Sequence, residues 1–444
     1  MKNRLKTAAI FFSLLAIQTQ AQEKKVLKLS EAIELSIQNS KELKTSQAKI
    51  EEATAALKES VDRRLPDASV TGGYLRFNSP NFDLKTKPSN SGGGGTATET
   101  PKLSQAAYGL VNVSLPIYTG GRIRYGIESS RFLEQAVRLD AENDKDEVIQ
   151  NTIEAFANLF KAKTAVMLVQ RNLVQSQQRE KDLGNLEKNG LLARNDFLKA
   201  QLQTSNVELS LLDAENNMQL ANINMDLMLG LPTSTELSLD TTGIERKNDN
   251  RVLDDYLQAA LNGRKDIAAI DMRKKAAESG VKSVKGELYP SLALTGGYIA
   301  ADIPHLATIT NAMDIGVGVS YSISSLWKNK AKVQQAQSKV KQLALTESVL
   351  DDRIRLDVSK SYLTLVSYRK KIDVYMKAVE QANENYRIVK NKFDNQLATT
   401  ADLIDADIAQ LQANLSFTLA RADAFVAYHK LLQTAGILSA EVNK

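Results

Sequence analysis

Residues Ile354–Phe393 read IRLDVSKSYLTLVSYRKKIDVYMKAVEQANENYRIVKNKF. Within them Ile354, Val358, Ser361, Leu365, Tyr368, Ile372, Tyr375, Val379, Ala382, Tyr386, Val389 and Phe393 follow one another in alternating steps of four and three. A repeat of 3.5 residues is the seam of a helix that packs lengthwise on another helix, as in a coiled coil; a helix capping a globular core follows 3.6 and runs out of phase within a few turns. Charged and amide residues take most of the other positions, so the far side of this helix is expected in water.

The same seam lies 206 residues earlier, on Val148, Thr152, Ala155, Leu159, Ala162, Val166, Val169, Leu173 and Ser176. Turns are expected at 190–195 and 396–400. Return helices then carry Leu198, Leu202, Ser205, Leu209 and Leu212 in one copy and Ile404, Ile408, Leu411, Leu415, Thr418, Ala422 and Phe425 in the other. An outgoing helix from Arg122 to Lys188 would be on the order of 100 Å long. That is far more than the roughly 30 Å of a bilayer core, so the hairpins are expected to cross an aqueous compartment.

The chain is written twice. Leu65-Pro66 and Thr71-Gly72-Gly73-Tyr74 recur as Tyr289-Pro290 and Thr295-Gly296-Gly297-Tyr298 at an offset of 224, and Gly230 recurs as Gly436 at an offset of 206. The 18 extra residues of the first copy fall after Tyr74, around Gly92-Gly93-Gly94-Gly95, which lacks the Gly-Lys-Ser/Thr of a phosphate loop and reads as a loop tip. Each copy reads helix, strand, loop, strand, long helix, turn, helix. The opening helices are expected to begin at Ser30, as an N-cap, and near Asp254, and to be stopped by Pro66 and Pro290. Strands are expected over about 68–78, 110–118, 291–300 and 315–324, with residues 78–110 and 302–314 as the loops beyond them. Ile315, Val317, Val319, Tyr321 and Ile323 alternate with Gly316, Gly318, Ser320, Ser322 and Ser324, giving one greasy face and one small polar face. Such strands are about long enough to cross a bilayer tilted; four of them cannot close a barrel, so several chains would have to share one.

Composition narrows the function. Lys2, Arg4 and Lys6, an apolar run from Ala8 to Ile17, and Thr19-Gln20-Ala21 make residues 1–21 a signal peptide by expectation. Without it 54 basic residues face 52 acidic ones, which gives no footprint for nucleic acid. There is no cysteine, and only His305 and His429 could supply imidazole, so thiolate chemistry and histidine clusters are excluded. No cofactor or metal motif is legible, and the expectation is a protein that is not an enzyme.

Two strands and a very long helical hairpin, repeated, resemble the TolC family of outer-membrane efflux proteins across residues 26–438. Local segments carry the resemblance too: Leu29-Ser30-Glu31-Ala32-Ile33-Glu34-Leu35 with Asn39-Ser40, then Arg264-Lys265-Asp266-Ile267, and the strand-to-helix junction Pro116-Ile117-Tyr118-Thr119-Gly120-Gly121-Arg122. Repeat two departs at that junction, where Ser322-Ile323-Ser324-Ser325-Leu326-Trp327 lacks the proline. The resemblance implies a mainly α fold with membrane β-strands: a homotrimer whose helical tunnel joins a shared twelve-stranded β-barrel in the outer membrane of a Gram-negative-type envelope. It implies a first repeat over 22–232, a linker over 233–250, a second repeat over 251–438 and a short tail. It also implies passive export in a tripartite efflux or secretion system, with a periplasmic adaptor (membrane fusion) protein and an inner-membrane pump of RND, ABC or MFS type. An adaptor protein, a soluble coiled-coil scaffold and an enzyme are the competing readings. The first has one hairpin rather than two, and the second would not fractionate with outer membranes.

Three groups of residues follow as site candidates. Gly190, Leu191, Leu192, Arg194 and Asp196 in one turn, with Leu397, Thr400 and Asp402 in the other, are expected to form an adaptor-docking tip. Glu380 and Glu384 are candidates for a lumen constriction, against the plainer reading of a pair with Lys377 or Arg387. Pro116, Gly120 and Gly121 mark the strand–helix junction.

Overall fold

The computed structural model describes residues 24–78, 104–240, 249–304 and 307–442. The signal peptide, the Gly92–Gly95 tip, His305, part of the 233–250 linker and the last two residues lie outside the described residues. The chain divides into two compact units. One holds residues up to 47, 140–267 and 349 onward; the other holds 48–139 and 268–348.

In the first unit a short parallel pair joins β1 (Lys24–Leu27) to β4 (Glu236–Leu239), with Leu27 opposite Leu239 and both Leu27 and Leu237 fully buried. β4 falls inside the stretch expected as linker. Next come α1 (Leu29–Asn39) and α2 (Lys41–Asp62). Ser30 is not the cap of α1: Lys28 occupies that position without a side-chain hydrogen bond, because the strand pair delivers the chain to the helix start two residues sooner. The second copy matches, with α5 (Leu253–Gly263) and α6 (Lys265–Lys285) broken at Arg264. Neither proline ends its helix directly. The helices stop at Asp62 and Lys285, and each proline instead starts the strand that follows it.

The long hairpins are α3 (Arg122–Lys188) with α4 (Arg194–Leu229), and α7 (Ser325–Asp394) with α8 (Thr400–Thr434); α9 (Leu438–Val442) closes the chain. In both repeats the return helix ends against the break in the opening helix. Asn39 Nδ2 donates to Leu229 O at 2.7 Å and Arg264 Nη1 donates to Thr434 O at 3.0 Å. The residues that follow, Gly230 and Gly436, both have φ +70, and a Cβ on either would press on Asn39 or Arg264 at 2.9–3.0 Å. Glycine is required at these two positions.

All twelve seam positions of α7 are buried or half-buried, while most residues between them are exposed. On α3 the seam is likewise inside, and Val166, Val169 and Leu173 pack on Val207 and Leu211 of α4. The register of α4 differs from the expectation. Leu198, Leu202, Leu209 and Leu212 are exposed, and the buried stripe is Ala200, Thr204, Val207, Leu211 and Ala214. Both stripes step by four and three; the one with small side chains lets the two helices approach, and the larger leucines are turned outward.

The second unit contains an antiparallel sheet in the order β2 (Asp67–Arg76), β3 (Gln105–Tyr118), β5 (Ser291–Ile303), β6 (Ala307–Ser320). β3 and β6 begin well before the residues expected for them, so most of 302–314 is strand rather than loop. Apolar side chains fall on both faces there, with Tyr108 and Leu110 on one and Val111 on the other, so no clean alternation announced that pairing. The register aligns like with like. Val70, Val111, Tyr298 and Met313 form one row across the four strands, and Leu115, Leu294 and Val317 form a parallel row on the same face. The opposite face carries the row Ser69, Asn112, Gly297 and Asp314. Val70 and Ile315 are 80% and 82% exposed. One face is therefore apolar and uncovered, the other is mixed, polar along the Ser69–Asp314 row but carrying Leu110 and Ile299 in the next row, and β2 and β6 are open edges. No helix among the described residues is long and apolar enough to cross a membrane.

Candidate functional site

Both hairpin turns in the first unit are built alike. After α3, Gly190 takes φ +71, its N–H reaches Glu187 O, and Leu191 N reaches Leu186 O. After α7 the same place is held by Gln396 with φ +59, bonded to Phe393 O, and Leu397 N reaches Lys392 O at 2.7 Å. This left-handed stop satisfies the last carbonyls of each helix and throws the next side chain outward. Leu191 is 68% exposed and Leu397 77% exposed. An apolar side chain is thus held in water at two equivalent points, by backbone bonds that define its direction, at a cost that cover by another molecule would relieve.

The rest of each turn anchors that geometry. Arg194 pairs with Glu187 at 3.1 Å and Asp196 with Lys199 at 3.1 Å. Thr399 caps α8: its Oγ1 accepts from Asp402 N at 3.2 Å, and Asp402 accepts in return from Thr399 N at 2.8 Å. Hydrogen bonds from Thr399 hold the Asp402 carboxyl below its ordinary range. Leu192 is half-buried, and Thr400 is buried and contributes packing rather than surface.

Glu380 and Glu384 both lie on the exposed side of α7. Glu384 is engaged by Arg387 in two hydrogen bonds of 2.6 and 2.8 Å, which lower its pKa. The plainer reading therefore describes Glu384, while Glu380 makes no hydrogen bond or ion pair among the described residues. At the junction in the second unit, Pro116 lies in β3 beside a register shift before Tyr118, and Gly120 and Gly121 have φ +64 and +85. A Cβ on Gly120 would stand 2.2 Å from Gly286 O, so two backbones cross there in contact.

Sequence reasoning missed a buried clamp in the hairpin unit. Asp407 of α8 is buried, accepts from Asn172 Nδ2 at 2.9 Å, and pairs with Arg179 of α3 through Nη1 and Nη2, each at 3.2 Å. It joins the outgoing helix of one hairpin to the return helix of the other, about fifteen ångström above the first turn at 1.5 Å per residue. The sole sequence signal was a charge amid Ile404, Ala406 and Ile408, with its partner 228 residues away.

A family model described as outer membrane efflux protein matches residues 32–231 and 256–436. The outer membrane efflux protein BepC of Brucella suis is 22% identical over 353 residues, covering 77% of this chain and 75% of BepC. Among solved structures, the Campylobacter jejuni CmeC outer membrane channel superposes with a TM-score of 0.77 at 16% identity, over 92% of this chain and 86% of that one. CusC, described for folding and transmembrane channel formation, gives a TM-score of 0.77 at 14% identity over 96% of both chains.

Proposed function

Since this chain belongs to the outer membrane efflux protein family and resides in the outer membrane, we propose that copies of it close a shared barrel and form the passive exit duct of a tripartite export system. The observation that carries this is the sheet: four registered strands with one apolar, uncovered face, a more polar opposite face and two open edges. In lipid an unpaired edge leaves backbone groups unsatisfied at several kcal/mol each, so the strands demand neighbours. Three copies give twelve strands, with the row containing Ser69, Asn112 and Asp314 lining the lumen and the row containing Val70 and Met313 facing acyl chains. The outward leucines of α4 then find cover against helices of the next copy. The chain performs no chemistry of its own; a pump of RND, ABC or MFS type supplies the energy, and a periplasmic adaptor connects the two.

The adaptor meets the turns, where Leu191 and Leu397 enter apolar pockets on its hairpin tips. Glu380 contributes a ring of carboxylates at the narrow end of the lumen. The test is the double substitution Leu191→Glu, Leu397→Glu in cells lacking the native gene. The variant is expected to reach the outer membrane as a heat-modifiable oligomer, to lose cross-linking to the adaptor, and to lose export. Normal export by an assembled double variant would remove the turns from docking.

A further inference from the structure

We propose that the first strand-to-helix junction binds the phosphodiester headgroup of an anionic phospholipid of the periplasmic leaflet. In the sheet-containing unit, a cleft of about 400 Å³ opens between the end of α2, the start of α3 and the end of α6. Arg63 and Arg122 line it together with the hydroxyls of Ser60, Thr119 and Ser283. Arg122 spends only its Nε on Thr119 O, at 3.2 Å, and Arg63 makes one exposed contact of 3.1 Å to Glu59. Both guanidinium groups keep free N–H donors, in the planar forks that suit phosphate oxygens.

Gly126 supplies the second observation. It sits inside α3 with no positive φ, where glycine costs about 1 kcal/mol relative to alanine. A Cβ there would meet nothing within 4 Å, so no packing within the chain calls for its absence. What the missing side chain preserves is the room in the cleft, which Gly126 lines.

The duplication provides an internal control. At the repeat offsets, the counterpart of Arg63 is Glu287 and that of Gly126 is Lys332. Lys332 Nζ and Glu287 Oε2 are 2.7 Å apart, and Asn329, the counterpart of Ile123, donates to Val284 O at 3.0 Å. The second junction is closed by its own ion pair. The first has lost the acid, gained an arginine and lost the bulk, so it presents cations to something outside the chain.

Surroundings select a lipid over free phosphate. Ile123 and Ile127 form an apolar wall of the cleft. Tyr118, Tyr289 and Trp327 stand exposed at the same end of the sheet, and Arg64, Lys285, Lys328 and Lys330 are exposed there too. Aromatic and basic residues at the foot of a membrane sheet mark the headgroup level, where anionic lipid is attracted by about 1 kcal/mol per cation.

The proposal rests on the sheet lying in the bilayer. The full chain in detergent micelles is titrated separately with dioleoylphosphatidylglycerol, dioleoylphosphatidylcholine and inorganic phosphate, and bound molecules are counted by native mass spectrometry. Phosphatidylglycerol is expected to be retained at least about tenfold more tightly than phosphatidylcholine. Arg63→Gln with Arg122→Gln should abolish that preference, and Gly126→Leu, which fills the cleft and keeps both charges, should do the same. Equal retention of phosphatidylglycerol by wild type and Gly126→Leu overturns the site, and so does displacement of the lipid by inorganic phosphate at comparable concentration. A chain that still fractionates with outer membranes in either case leaves the duct reading standing.

Discussion

Asp226 offers a quantitative check on the buried architecture of the hairpin unit. Its side chain is 0% exposed, Oδ2 accepts from Asn222 at 2.9 Å, and Oδ1 has no partner. Burial raises its pKa to about 6. In the unfolded chain the value is about 3.9, so the folded state binds the proton more readily between roughly pH 4 and 6. The sign follows directly: below pH 4 the group is neutral in both states and costs nothing. As pH rises from 4 to 6 the unfolded chain gives up the proton while the folded state keeps it, so stability falls across that window and levels off above 6, where the folded state carries a desolvated charge. Two units of pKa correspond to about 3 kcal/mol lost above pH 7, an upper bound for a group this close to one donor. Asp226→Asn removes the charge and keeps the shape, at the fixed cost of a buried amide N–H. The advantage of the variant over wild type should therefore grow by up to about 3 kcal/mol between pH 4 and pH 8. With about 2.1 cal/mol/K of unfolding entropy per residue, that is a relative Tm shift of about 3 °C if the whole chain melts together. Thermal melts of both proteins in detergent at five pH values measure it. A Tm difference that stays constant from pH 4 to pH 8 would refute the argument, because any structural effect of the amide is independent of pH.

Asp407→Ala strands Arg179 and Asn172 in the hairpin core and is expected to cost about 3–5 kcal/mol, seen as a lower Tm; the triple replacement Asp407→Leu, Arg179→Met, Asn172→Leu should recover most of it. Gly120→Ala forces a Cβ into Gly286 O and needs positive φ, so oligomer yield in the outer membrane should fall sharply, with Gly126→Ala unchanged or slightly stabilised as control. Gln396→Gly relieves a left-handed residue at a turn and should raise stability by about 1 kcal/mol without altering export. Glu380→Gln should weaken block of single-channel conductance by multivalent cations, whereas Glu384→Gln, whose carboxylate is already held by Arg387, should change it little.

The sequence made legible whatever is enforced by period. A seam of Ile354, Val358, Leu365 and their successors must face a partner helix at every step, and a strand such as 315–319 must alternate, so both could be read directly. Less accessible was the choice between two stripes of equal period on α4, because hydrophobicity favours Leu198, Leu202 and Leu209 while close helix approach selects Ala200, Thr204 and Val207. A single chain leaves the larger stripe bare, and the packing between copies proposed above would cover it. Pairings such as Arg179 with Asp407, or β1 with β4, depend on residues more than two hundred positions apart, and no local pattern announces them.

Duplication turns each repeat into a measurement on the other. Where the copies agree, the shared feature serves every hairpin: Leu191 and Leu397 are both exposed, Gly190 and Gln396 both take positive φ, and Asp196 and Asp402 both open a return helix. The ring of near-equivalent tips proposed above would need that agreement, since a partner would engage all of them. Where the copies disagree, the feature occurs once per chain. Asp407 stands opposite Gln201, which bonds Glu180 at 3.1 Å within its own hairpin, whereas Asp407 reaches across to the other hairpin. Arg63 and Gly126 likewise oppose the ion-paired Glu287 and Lys332. In an assembly of several chains, the agreeing positions would impose near-uniform spacing around the axis. The disagreeing ones would decide which adjacent hairpins move together and which junctions take a ligand. Asp407 joins α3 and α8 of one chain through Arg179 and Asn172, so in such an assembly these two helices would move together unless that charge is removed, and any widening between hairpins would fall on the remaining helices and on contacts between copies.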